Sequence, residues 1–126
     1  MHWVVWEFQV GPNQKREFET VYGPQGEWAR LFERGEGYLG TVLLRDPAAP
    51  GRYFTIDRWR SPADYEAFRA RWGDAYEQLD RRCAELTERE VALGSFLELH
   101  TAANGTIMSE NGETVKPGTA KVPAEG

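Results

Sequence analysis

Residues 53–68 read YFTIDRWRSPADYEAF. The first seven, Tyr53 to Trp59, are dense in aromatic and β-branched side chains, which is strand chemistry. Ser61-Pro62-Ala63-Asp64 is a helix start, with Ser at the N-cap, Pro at the first helical position and an acid two residues further on. Beyond it Tyr65, Phe68, Trp72, Tyr76, Leu79, Cys83 and Leu86 recur every three or four residues. That spacing predicts one continuous apolar stripe on a long helix. A strand thus feeds directly into a helix, and five aromatic side chains sit around the joint.

Outward from this joint the chain reads as further strands and helices. YLGTVLLR at 38–45 is a strand, and Asp46-Pro47-Ala48-Ala49-Pro50-Gly51 is a proline-stiffened loop. Together with 52–59 they predict a β-hairpin. WVVWEFQV at 3–10 is an earlier strand, and REVALGSFLEL at 89–99 a later one. On the earlier strand Val4, Trp6, Phe8 and Val10 form a wholly apolar face that should pack on helices. Trp3, Val5, Glu7 and Gln9 form a mixed face suited to a subunit interface or a half-wet surface. Gly11-Pro12-Asn13 is turn chemistry, with Asn13 placed to cap a helix whose inner face is Phe18, Val21 and Tyr22. Gly23-Pro24 breaks that helix, and a second segment over 25–34 buries Trp28, Leu31 and Phe32. Gly35-Glu36-Gly37 ends it. The order β-α-β-β-α-β predicts an α+β, ferredoxin-like fold with a four-stranded antiparallel sheet and the helices on one face. The other face is bare and calls for a partner.

Composition narrows the class. At 126 residues one domain is expected, since domains run to ~100–200 residues. Five tryptophans give its core bulk. A net charge of −5 leaves no basic footprint for nucleic acid. No apolar run reaches the ~18 residues of a membrane span. MHWVVWEF has neither the basic region nor the small-residue cleavage site of a signal peptide. With a single cysteine, Cys83, no disulfide forms within the chain, and a reducing, cytoplasmic setting is expected. Asn104-Gly105-Thr106 fits a glycosylation sequon but has no secretion signal to give it meaning. The domain is expected over 1–100. Residues 101–126 change character to Gly, Thr, Ala and Pro. Within them TIMSENGETVK suggests a short hairpin around Asn111-Gly112. This tail either packs on a partner chain or extends as an arm.

WEFQVGPNQKREFE, GYLGTVLLRD and GRYFTIDRWRSPADYEAF together resemble the antibiotic biosynthesis monooxygenase domain. The resemblance covers residues 3–99. It rests on the aromatic-rich first strand before a Gly/Pro turn, the Gly-x-x-Gly strand opening, and the Arg-Trp-x-Ser joining strand to helix. It implies a homodimeric α+β barrel, two sheets facing each other, with a pocket in each subunit between sheet and helices. It also implies oxygenation of a small aromatic substrate (phenolic, quinol or anthrone-like) with no cofactor. In the anthrone-oxygenating members a Trp ends the third strand and a Tyr follows six positions on, which Trp59 and Tyr65 match. Where those members carry Asn four positions before the Trp, this chain has Thr55, which keeps one hydroxyl. The resemblance therefore implies Trp59, Tyr65 and Thr55 as catalytic candidates, the first two positioning the ring and sharing its proton and the third holding an oxygen. A haem-degrading branch uses an Asn on the first strand and a Trp and a His on the second helix. The corresponding positions here are Trp6, Phe68 and Gln78, so haem degradation is disfavoured.

Trp6, Phe8, Phe68, Trp72 and Tyr76 are expected to wall a substrate pocket, although core packing accounts for all five. Phe54 is read as packing, and Trp59 could equally plug the layer at the strand–helix junction. Cys83 continues the helix stripe and reads as structural. His2 opens the first strand and His100 closes the fourth, but two ligands at fraying ends do not make a metal cage. No HExxH, CxxC, GxSxG, P-loop or GxGxxG signature occurs. A non-catalytic small-molecule binder, or a purely structural dimer with a filled core, is the alternative to an oxygenase.

Overall fold

In a computed structural model, residues 1–103, 106–109 and 114–115 are described, those beyond residue 100 by their backbone alone. Strand β1 (His2–Gln9) leads to helices α1 (Lys15–Tyr22) and α2 (Glu27–Phe32), then to the hairpin β2 (Tyr38–Arg45) and β3 (Arg52–Trp59). Helix α3 (Pro62–Cys83) runs through a 3₁₀ turn, Ala84–Leu86, into β4 (Arg89–Leu97). These four strands form an antiparallel sheet in the order β2-β3-β1-β4. The fold is α+β and ferredoxin-like. Three short strands follow, β5 (His100–Ala103), β6 (Thr106–Ser109) and β7 (Thr114–Val115), paired in that order. Asn111-Gly112, the hairpin tip expected from the sequence, lies outside the described residues.

The strand-to-helix joint forms as the sequence predicts. Ser61 Oγ accepts a hydrogen bond from the Asp64 backbone N–H at 3.1 Å, with Pro62 opening the helix. The long helix is not one straight rod, however. Trp72 leaves helical geometry at φ −112°, ψ 21°, next to Gly73, the weakest helix former in the helix interior. The bend divides the apolar stripe: Phe68, Leu79, Cys83 and Leu86 are buried, whereas Tyr65, Trp72 and Tyr76 are only partly so. Asn13 does not cap α1. The cap position is Gln14, whose N–H bonds to Gly11 O at 3.0 Å, and no side chain caps the helix. The Gly11-Pro12-Asn13 turn therefore closes one residue later than its composition suggests. His100 opens β5 instead of closing the fourth strand.

Gly23-Pro24 breaks the first helical segment as expected, and Gly26 starts the second. A Cβ on Gly26 would lie 2.2 Å from Val21 O and 2.3 Å from Thr20 O. Only a glycine lets α2 fold back this tightly on α1, which brings Tyr22 and Trp28 to a ring-centroid separation of 6.1 Å.

Burial alternates without a break along β3, with Tyr53, Thr55, Asp57 and Trp59 buried and their neighbours partly exposed. The buried face of the sheet carries Val4, Phe8, Tyr53 and Trp59 against Phe18, Tyr22, Phe32 and Phe68 of the helices. Most rings meet edge-on or tilted, for example Phe8 on Tyr22 at 5.0 Å and Phe32 on Phe68 at 5.4 Å, while Phe18 stacks on Tyr22 at 4.3 Å; both arrangements suit the ring quadrupole. On the opposite face Val42, Leu44 and Phe96 are exposed, alongside partly exposed Val5, Phe54 and Ile56. Phe54 is thus not interior packing: it lies on this open face under the Arg52 guanidinium, 4.7 Å from the ring centre.

Gly26→Ala should cost about 1–3 kcal/mol through overpacking. Urea unfolding of the two proteins, followed by tryptophan fluorescence, measures it.

Candidate functional site

A cleft lies between the buried face of the sheet and the helices above it. Its floor is Trp6 and Phe8 of β1, Thr55 and Asp57 of β3, and Glu90 of β4. Its roof is Tyr22 of α1, Trp28 and Phe32 of α2, and Tyr76 and Asp80 of α3. About 420 Å³ of empty space lies between them, part of it open to solvent. The floor follows from the ladders: Trp6 pairs with Thr55, and Phe8 with Glu90, so alternate side chains of three strands rise on the same side.

The cleft is aromatic with a few polar groups set into it. Asp57 is only 8% exposed. Burial pushes its carboxyl up to about 7, against a hydrogen bond from Thr41 that favours the charged form. Thr41 Oγ1 donates to Asp57 Oδ1 at 2.8 Å, and Tyr38 Oη lies 2.5 Å from the same Thr41 oxygen. Burial pushes the Tyr38 hydroxyl up to about 12.

A regular strand would turn Tyr38 and Thr41, three residues apart, to opposite faces. A bulge prevents this. Tyr38 pairs with Trp59 and Gly40 with Arg58, leaving Leu39 as the extra residue, and Gly40 takes φ +130°, which L side chains rarely adopt.

Elsewhere in the cleft, Tyr22 Oη lies near Trp28 and Cys83 without hydrogen-bond geometry to either, and Trp28 Nε1 likewise has no partner among the described residues. Burial raises both the Tyr22 and the Tyr76 hydroxyl pKa. At the rim, burial and the neighbouring Asp80 carboxylate raise Glu90. Among the described residues that line the cleft, none is a lysine, arginine or histidine.

A family model described as antibiotic biosynthesis monooxygenase matches residues 1–79. The chain belongs to that family. Among solved structures it is similar to SnoaB of Streptomyces nogalater, a cofactor-independent oxygenase. The two are 23% identical over 79% of this chain and 94% of that one, with a TM-score of 0.65. MhuD, in a structure holding manganese protoporphyrin IX, is 20% identical over 82% of this chain and all of that one, with a TM-score of 0.63. PA3566 of Pseudomonas aeruginosa is 15% identical over 78% of this chain and 93% of that one, at 0.55. At such identities these likenesses speak for the fold. No curated protein matches the chain in sequence.

Of the residues that the family resemblance and the apolar pattern single out, Thr55, Trp6, Phe8 and Tyr76 line the cleft. Trp59, Tyr65, Phe68 and Trp72 do not. Trp59 is fully buried, packed on Phe32, Tyr38, Tyr65 and Phe68. Tyr65 sets its ring edge-on to Trp59 at 5.5 Å, and its hydroxyl accepts a 3.1 Å bond from Arg69 in an exposed position. Phe68 is core. The Trp72 ring has the Arg34 and Arg71 guanidinium groups at 5.0 and 5.3 Å from its centre. The bend at Trp72 helps to explain the split: of the three partly buried aromatics on the helix, only Tyr76, beyond the bend, reaches the cleft.

Asp57, Tyr22 and Trp28 escape a reading by aromatic spacing. For Asp57 the signal was present, since in YFTIDRW it shares the period-two face of Tyr53, Thr55 and Trp59.

A carboxyl whose folded pKa is raised binds its proton more tightly in the folded than in the unfolded chain. Stability therefore falls as pH rises from the ordinary carboxylate range toward 7. Asp57→Asn removes that loss. It should flatten the pH dependence of unfolding between pH 4 and 8 and gain up to about 4 kcal/mol at the upper end, read from urea midpoints at each pH.

Proposed function

We propose that this chain is a cofactor-independent monooxygenase acting on a small, neutral, hydroxylated aromatic substrate, and that it works as a cytoplasmic homodimer. The observation that carries the reading is the cleft itself. Flat aromatic walls suit a ring, and Thr55 and Asp57 offer a hydrogen-bond donor and a proton acceptor beside it. Family membership and the fold shared with an oxygenase described as cofactor-independent support it further.

The chemistry needs no external electrons. For an anthrone-like substrate the ring system gives up a proton and passes electrons to O₂. One oxygen atom becomes the new carbonyl, and the other leaves as water with the two hydrogens of the former methylene. The chain binds the ring, holds a substrate oxygen at Thr55, and keeps bulk water away from the reacting centre.

Haem degradation fits these residues poorly. Haem brings two carboxylates and needs an axial ligand, whereas the described residues of the cleft wall include Asp57, Asp80 and Glu90 and no basic side chain. The same charge pattern should select among aromatics. A naphthol bearing a carboxylate should bind at least tenfold more weakly than naphthol itself, measured by quenching of cleft tryptophan fluorescence, and the gap should narrow in Glu90→Gln.

The assay is oxygen consumption by the metal-free protein with anthrones, naphthols and hydroquinones. Turnover above the spontaneous rate is expected. Binding of these compounds without turnover would leave a small-molecule binder. Trp59 and Tyr65 enter the same assay. Their positions support a packing role, so Tyr65→Phe should change kcat/KM by less than about threefold, whereas Trp59→Ala should cost about 3–5 kcal/mol of stability.

The partner reading rests on the open sheet face, where Val42, Leu44, Ile56 and Phe96 are too apolar to sit in water unmatched. The occupant proposed is a second copy of this chain, sheet facing sheet. The protein should sediment at twice 14.4 kDa, and Ile56→Lys should return it to the monomer.

A further inference from the structure

We propose that Asp57 is the catalytic base of this cleft, and that Thr41 and Tyr38 position it across the bulge in β2. This inference rests on the monooxygenase reading and deepens it by naming the group that ionises the substrate.

The step requires a proton acceptor within reach of a ring hydroxyl. Thr55 and Asp57 are the buried polar or charged residues among those described, and Thr55 is no base at neutral pH. The other carboxylates on the cleft wall, Asp80 and Glu90, are exposed at its rim, where water competes for the proton. Tyr22 and Tyr76 are held protonated by burial. Asp57 therefore remains as the acceptor, set in the floor beside Thr55 and facing the aromatic roof.

The hydrogen-bond chain gives Asp57 one orientation. When Thr41 donates to Asp57 Oδ1, its own oxygen is open to a donor, and Tyr38 Oη–H supplies it. Tyr38 thereby directs the Thr41 hydrogen toward the carboxylate, which leaves Oδ2 uncommitted for the substrate. In the step, the acidic substrate bond breaks (O–H of a phenol, or methylene C–H of an anthrone), a new O–H bond forms on Asp57, and the electron pair stays on the ring system as phenolate or the equivalent enolate. This anion is then the electron donor to O₂. Titratable or charged groups around this chain come from several elements: Tyr76 and Asp80 of α3, Glu90 of β4, Tyr22 of α1, and Glu33 and Arg58 near Tyr38. The two influences resolved on Asp57 itself are burial and the Thr41 hydrogen bond.

The ionised carboxylate is the active form, so kcat should rise about tenfold per pH unit below 7 and level off above it. Asp57→Asn should lower kcat about 10²–10⁴-fold and abolish that acid limb. Thr41→Val removes a bond that favours the charge, so it should move the limb to higher pH and lower kcat at pH 7 with little change in KM. Thr41→Ser should restore both. A merely structural Thr41 would not shift the limb.

Titration of the Asp57 carboxyl by ¹³C NMR in the ligand-free protein keeps the inference separable from the reading beneath it. A midpoint near 7 that rises in Thr41→Val is expected. A midpoint in the ordinary carboxylate range, or one unmoved by Thr41→Val, overturns the inference even where turnover is found. Turnover retained in Asp57→Asn with the same pH profile also overturns it and leaves the monooxygenase standing. No turnover by the wild type with any compound overturns both.

Discussion

The pleat of β3 is the constraint on which the rest depends. This strand lies between β1 and β2, so neither of its edges is free and its register is fixed from both sides. Every second side chain must then go inward. Tyr53 and Trp59 meet that demand as bulk, and Thr55 and Asp57 meet it as polar groups with no solvent to fall back on. A one-residue slip would bury Arg52, Phe54, Ile56 and Arg58 instead, which two guanidinium groups forbid. The strand that anchors the core is therefore also the strand that carries the polar floor of the cleft.

The aromatic interior divides by position, not by residue type. At the Trp59 end, Phe32, Tyr38, Tyr65 and Phe68 close around the indole and leave no space. Toward Trp6, Tyr22 and Tyr76 the rings stand apart and a cleft remains. On α3, rings that look equivalent in sequence differ by place: Phe68 and Tyr65, before the bend, pack on Trp59, and Tyr76, beyond it, lines the cleft.

A cleft whose one buried carboxylate is Asp57 suits a reaction whose difficult step is ionising the substrate. Burial that raises the Asp57 pKa toward neutrality brings it closer to that of a phenol, so that the proton can move in either direction. The cost falls on folding, because an ionised Asp57 is poorly solvated. The hydroxyl chain from Tyr38 through Thr41 offsets part of that cost, and it exists only because Gly40 lets the strand bulge.

The sequence by itself determined the order of elements, the inward face of β1, the Ser61–Asp64 cap and the break at Gly23-Pro24. These are local matters of turn chemistry and period, legible from a few neighbouring residues. Strand alternation also marked Trp6 and Phe8 for the cleft and the helical period marked Tyr76, whereas Thr55 was pointed to by the family resemblance. Only the tertiary structure decided that Trp59 and Tyr65 pack on each other away from the cleft, that Tyr38 and Thr41 share a face, and that Tyr22 and Trp28 bring polar atoms into the roof. Each of these depends on a bulge, a bend or a helix crossing set by contacts distant along the chain. A period of two or of 3.6 says which way a side chain points, but not whether the space in front of it is filled.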